Sequence, residues 1–111
     1  MVAWKRSTVT VDDVELAVFE ADTGSAGPDS TSPESTADRP TVVLVHGWPD
    51  THRLWDLVAP GLTDDFRVVA YDTRGYGESS APDEVDAYRL EHLAADLFAV
   101  IAAVSPDAPA H

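Results

Sequence analysis

The chain reads as an α/β domain, in which an antiparallel hairpin at a sheet edge leads into parallel strands with flanking helices. Three features predict this. Two runs, Thr41-Val42-Val43-Leu44-Val45 and Phe66-Arg67-Val68-Val69-Ala70-Tyr71, are apolar and rich in β-branched residues, the pattern of strands covered on both faces. Each ends abruptly in a glycine-bearing segment. The stretches after them carry apolar residues at intervals of three and four, the period of amphipathic helices.

From the amino terminus, Val9 and Val11, then Val14, Leu16 and Val18, alternate with polar residues on either side of Asp12-Asp13, which predicts a hairpin over residues 7–22. Residues 23–40 are rich in Ser, Thr, Pro, Asp and Gly and poor in large apolar side chains, so this stretch reads as a flexible loop inserted between strands. After the strand 41–45, Leu54, Trp55, Val58 and Leu62 fall on one face of a helix expected over about 52–62. A second helix is expected from about Tyr88 to Val104, with Leu90, Leu93, Leu97, Phe98, Ile101 and Val104 spaced at three and four, Asp86 as its cap and Pro106 as its stop. Alternating strands and helices over 41–104 predict a βαβ unit, and residues 105–111 read as a turn toward a further strand. At 111 residues the sheet is expected to be incomplete, the amino-terminal part of a larger domain.

Composition narrows the function classes. Twenty acidic against seven basic residues give a formal net charge of −13, which disfavours nucleic acid and anionic membranes as partners. There is no cysteine, hence no disulfide, thiolate nucleophile or Cys-based zinc site in the chain. The opening residues form no apolar run of leader or membrane-spanning length, so the expected location is the cytoplasm.

Two segments carry the chemistry. In Val43-Leu44-Val45-His46-Gly47-Trp48-Pro49-Asp50 a buried strand enters a turn at its carboxyl end, where open α/β sheets bind ligands. Gly47 permits a sharp turn, which would leave the Trp48 backbone N–H free to face developing negative charge as an oxyanion-hole donor, with Pro49 setting its orientation. His46 lacks the partner that a general base needs and is expected to be structural. His46, Asp50 and His52 have no fixed ligand spacing, and no metal site is expected.

The second segment is Tyr71-Asp72-Thr73-Arg74-Gly75-Tyr76-Gly77-Glu78-Ser79-Ser80. Gly75-x-Gly77 invites a phosphate-binding reading, but the third glycine of that fingerprint is absent and the loop does not follow a first strand, so no cofactor is expected. Arg74 is expected to pair with Asp72 and brace the turn. Ser79 and Ser80 lack the strand-to-helix elbow of a serine nucleophile.

Taken together, His46-Gly47-Trp48-Pro49-Asp50, Leu54-Trp55 and Asp72-Thr73-Arg74-Gly75-Tyr76-Gly77-Glu78-Ser79-Ser80-Ala81-Pro82 resemble the opening half of α/β-hydrolase-fold domains. The string from Arg74 to Pro82 is similar to that of epoxide hydrolases. The resemblance implies an aspartate nucleophile that opens an epoxide to an enzyme-bound ester, which a His–Asp pair then hydrolyses. It places only Trp48 of that machinery in this chain, with the nucleophile, acid and base expected beyond His111. It implies a small-molecule substrate, an apolar epoxide or ester, and an inactive 111-residue chain. Haloalkane dehalogenases and carbon–carbon or ester hydrolases share these motifs and stay open, as does a non-catalytic binding protein with the same fold. Residues 99–111 are also similar to hydrolase domains fused to a short-chain dehydrogenase.

Overall fold

A computed structural model of the chain describes residues 3–22, 39–47 and 50–111. Four strands form one mixed sheet: β1 (Ala3–Val11), β2 (Val14–Asp22), β3 (Thr41–Val45) and β4 (Arg67–Tyr71), in spatial order β1-β2-β4-β3. β1 and β2 make the hairpin, and its turn holds Asp12 at φ 53°, a left-handed conformation that aspartate tolerates better than most side chains. The hairpin begins at Ala3, earlier than the alternation indicated. β2 pairs antiparallel with β4 (Val18 opposite Tyr71), and β3 pairs parallel with β4 (Val43 opposite Val69).

The strand period of two divides the core between the two faces of the sheet. Val14, Leu16, Val18, Val69 and Tyr71 point to one face, where Val100, Leu97 and Val104 of the helix α1 (Leu90–Val104) pack on them. Val68 and Ala21 point to the other, beneath Ala59 and Leu62. β4 lies at the centre, and its Val68, Val69, Ala70 and Tyr71 are buried on both faces, as a run without polar alternation requires.

Three departures from the sequence reading have local causes. The stretch 52–62 is no continuous helix: it forms two short 3-10 turns, His52–Trp55 and Ala59–Gly61. Pro60 lacks the N–H that a continuing helix would use, and Gly61 weakens a helix further. α1 starts at Leu90 with Arg89 in the cap position and no side-chain cap, whereas Asp86 sits in a separate 3-10 turn, Val85–Tyr88. Phe98, expected on the apolar face of α1, is 69% exposed, because it lies across the helix from the buried Asp96 and Val100. The loop assigned to 23–40 lies, from 23 to 38, outside the described residues.

At the other end, a turn after Ser105 brings Ala110 beside Thr41 in a parallel bridge. The His111 N–H donates to the Thr41 carbonyl and the Val43 N–H to the His111 carbonyl, both at 2.8 Å. The outer edge of β3 is thus partly paired rather than bare along its whole length. Arg67 locks this corner, with its guanidinium bidentate on Glu20 at 2.8 and 3.0 Å and also bonded to the Val104 carbonyl.

Leu16, fully buried at the centre of the larger cluster, provides a test of the core. Leu16→Ala is expected to lower the unfolding free energy by about 2–5 kcal/mol in urea titrations. Phe98→Ala should stay within about 0.5 kcal/mol of the parent chain.

Candidate functional site at the strand exits

β3 and β4 end side by side, and the segments leaving them are bound to each other. β3 exits through His46 and Gly47, and β4 through Asp72, Thr73 and Arg74. His46 is buried, and its Nε2 accepts from the Thr73 N–H at 3.0 Å while Nδ1 lies 3.0 Å from the Gly47 carbonyl. An imidazole that accepts at Nε2 carries its proton on Nδ1, so Nδ1 donates to that carbonyl. Both ring nitrogens are engaged, and Tyr76 covers the ring edge-on at 5.8 Å between centroids. His46 therefore holds the turn.

Asp72 is fully buried, and its carboxylate is a hub. Oδ1 accepts from the backbone N–H of His52 at 2.7 Å and from its ring Nδ1 at 2.8 Å, and Oδ2 accepts from the Glu78 N–H at 2.9 Å. Gly77 packs so closely that a Cβ there would collide with the carboxylate, and Gly75, at φ 89°, leaves room only for the Tyr88 ring, 2.7 Å from where a Cβ would stand. The glycines thus serve side-chain packing and turn geometry. Burial pushes the Asp72 pKa up, but the donors from Glu78 and His52 outweigh it and hold the carboxyl below its ordinary 3.8.

The loop between these residues is stitched to β2. The Ser79 hydroxyl donates to the Asp72 carbonyl at 2.5 Å and accepts from the Ala17 N–H at 2.9 Å. The Ser80 hydroxyl accepts from the Glu15 N–H at 3.0 Å, and the Ser80 N–H donates to the Glu15 carbonyl at 2.8 Å. Both hydroxyls are tied to the backbone of β2, which leaves no activated serine in this loop.

Arg74 does not pair with Asp72. Asp72 already has three donors, and the Arg74 side chain turns to the opposite face of the sheet. There its Nε and Nη2 grip both oxygens of Asp96 of α1, each at 2.6 Å, and Nη1 bonds the Ala87 carbonyl at 2.8 Å. Both side chains are buried, and the Asp96 carboxylate raises the Arg74 pKa. The same carboxylate, together with burial as the larger cause, pushes the Tyr71 phenol up to about 12. A cavity of about 600 Å³ opens beside this pair, lined by Val45, His46, Tyr71, Tyr76, Leu93 and Leu97 among others.

The three residues weighed for a metal do not converge: His46 turns to Thr73, His52 to Asp72, and Asp50 is exposed. Trp48 and Pro49 lie outside the described residues. Their neighbours are held, since the Asp50 N–H donates to the Gly47 carbonyl at 2.9 Å. Two pairs went unread in the sequence, His52–Asp72 and Arg74–Asp96. A signal for the second was present, because an aspartate within the apolar stripe of a helix implies a buried cation opposite. The first had none, as the two residues lie twenty apart on different elements.

Comparison with known proteins gives this geometry a family. The model of the α/β hydrolase fold family matches residues 40–110. The chain is 54% identical over 78 residues to the "Probable oxidoreductase EphD" of Mycobacterium tuberculosis, a match that covers 70% of this chain and 13% of that protein. It is 48% identical over 59 residues to the "Bifunctional epoxide hydrolase 2" of Sus scrofa, covering 52% and 11%. The crystal structure of epoxide hydrolase A from Mycobacterium thermoresistibile superposes with a TM-score of 0.68 at 34% identity, covering 89% of this chain and 27% of that one.

Two tests follow from the buried pairs. Arg74→Ala leaves Asp96 buried without its cation and should cost about 3–5 kcal/mol in urea unfolding, whereas Arg74→Met combined with Asp96→Leu should recover most of that loss. A carboxyl held below its ordinary pKa stabilises the fold above that value, and the gain is lost as pH falls through the folded pKa. Unfolding free energy measured downward from about pH 5 should therefore fall less steeply for Asp72→Asn than for the parent chain. The chain belongs to the α/β-hydrolase fold family and is similar within it to epoxide hydrolases.

Proposed function

We propose that this chain forms the strand-exit half of an epoxide-hydrolase-like active site and contributes the Trp48 backbone N–H as an oxyanion donor. The observation that carries this reading is the bonded pair of exits at the carboxyl ends of two adjacent parallel strands, where open α/β sheets bind their ligands. In the chemistry that the resemblance implies, an aspartate carboxylate attacks an epoxide carbon, the C–O bond of the ring breaks, and the alkoxide takes a proton to give an ester. Water deprotonated by a His–Asp pair then attacks the ester carbonyl. The N–H donor stabilises the resulting oxyanion, which collapses to release the diol. The substrate is a small apolar epoxide or ester in the cytoplasm, and neither nucleic acid nor a membrane is a partner.

The described residues support this division of labour. His46 and the two loop serines are committed to structural bonds. The His52–Asp72 pair has the form of a catalytic dyad, but its imidazole is buried and stacked on Phe19 at 3.5 Å between centroids. As the resemblance implies, the nucleophile and its base are expected beyond these 111 residues. A second reading draws on the relative named as a probable oxidoreductase, of which the matched part is 13%: the whole polypeptide would then join this hydrolase segment to an oxidoreductase domain.

Reading the coding frame past His111 tests the reaction class. An elbow bearing aspartate supports epoxide or halide chemistry, one bearing serine points to ester hydrolysis, and a frame with no elbow leaves a binding protein. The purified 111-residue chain should turn over no epoxide or ester, and detectable hydrolysis would contradict the reading. In the active product of that frame, Trp48→Pro removes the donor and should lower kcat by about 100-fold or more.

A further inference from the structure

We infer that His52 and Asp72 are positioning residues for the β3-exit turn: together with His46 they clamp both of its ends to two consecutive residues of β4's exit. This rests on the proposed role of that turn as the carrier of the oxyanion donor. At the near end, the Thr73 N–H donates to His46 Nε2 at 3.0 Å. At the far end, the neighbouring Asp72 accepts from both the backbone and the ring of His52 through a single oxygen, at 2.7 and 2.8 Å. Five residues, Gly47 to Thr51, lie between the clamps. The Asp50 N–H to Gly47 carbonyl bond, at 2.9 Å, closes within them.

His52 suits this task for two reasons. Its ring stacks flat on Phe19 of β2 at 3.5 Å, with an interplanar angle of 8°, and Trp4 of β1 meets it edge-on at 5.8 Å. The hairpin thereby fixes the plane of the imidazole, and the ring can swing away from Asp72 only by losing both contacts. Asp72 is in turn unable to relax, since Oδ2 is held by the Glu78 N–H and Gly77 fills the space beside it. The clamp is a hydrogen bond to a charge in a dry site, the kind whose loss costs most.

A donor aimed at a developing oxyanion contributes only if its place is set before the reaction begins. His52 and Asp72 supply this from outside the cavity that His46 lines. His52→Phe keeps an aromatic ring for the stack on Phe19 but removes the Nδ1 donor. His52→Asn keeps a donor at the position of Nδ1 and gives up the stack.

Amide hydrogen exchange of the 111-residue chain, followed by NMR, separates the bond from the stack. His52→Phe should speed exchange at Asp50 by about tenfold or more relative to Val69 at the centre of β4, the size expected for losing a bond to a charged group. His52→Asn should keep Asp50 within about threefold of the parent ratio. Equal acceleration at Asp50 and Val69, or no change at either, would overturn the clamp. In the parent chain a proton on His52 Nδ1 with a nuclear Overhauser contact to the Asp72 methylene is also expected, and its absence would overturn the proposal even if neither variant folds. If Asp50 responds as expected while Trp48→Pro leaves kcat unchanged in the active product, the clamp stands and the oxyanion reading fails. The reverse pattern would retain the oxyanion reading and discard the clamp.

Discussion

A fully buried carboxylate must be met by donors, and the way Asp72 is met governs the architecture around it. It sits one residue past the central strand, so its three donors must come from segments that reach the end of β4: the start of the 3-10 turn at His52 and the loop at Glu78. The need for close approach explains the glycine at position 77, and the need for a ring donor explains a histidine packed among aromatic side chains. Each bond brings a different chain segment to the same point. Remove the carboxylate and the β3 exit, the glycine loop and the hairpin lose their common anchor.

A second buried charge, on the opposite face, sets the position of α1. The bidentate Arg74–Asp96 pair ties the helix to the same strand exit, two residues after Asp72. Packing of Leu97, Val100 and Val104 on the sheet does the rest. The helix then delivers residues 110–111 to the free edge of β3, parallel and in register with Thr41. Opposite faces of the sheet are in this way joined through two residues of one strand exit, Asp72 and Arg74, and a cavity is left where the exits meet α1.

The legible parts of the sequence were those with a period. Strands β2, β3 and β4 announce themselves by alternation or by unbroken β-branched runs, and α1 by its spacing at three and four. The motif residues around His46 and Asp72 were legible through their resemblance to a family, and the structure places them at adjacent strand ends. What was not legible depends on pairing across space. Arg74 and Asp72 are close in sequence and opposite in charge, so local reasoning joined them. In the fold, both lie past the end of β4, where the chain leaves the strand and turns, and each finds a partner about twenty residues away, His52 for Asp72 and Asp96 for Arg74. The segment 52–62 misled for a related reason, since its apolar spacing satisfied a helix while Pro60 and Gly61 broke one.

The strand exits are bonded to each other through fixed imidazole tautomers. Long-range proton–nitrogen NMR of the histidine side chains tests it most directly, at neutral pH and without any substitution. His46 is expected to carry its proton on Nδ1 and to show a bare, hydrogen-bonded Nε2. A His46 protonated on Nε2 would face the Thr73 N–H as donor against donor, and would contradict it.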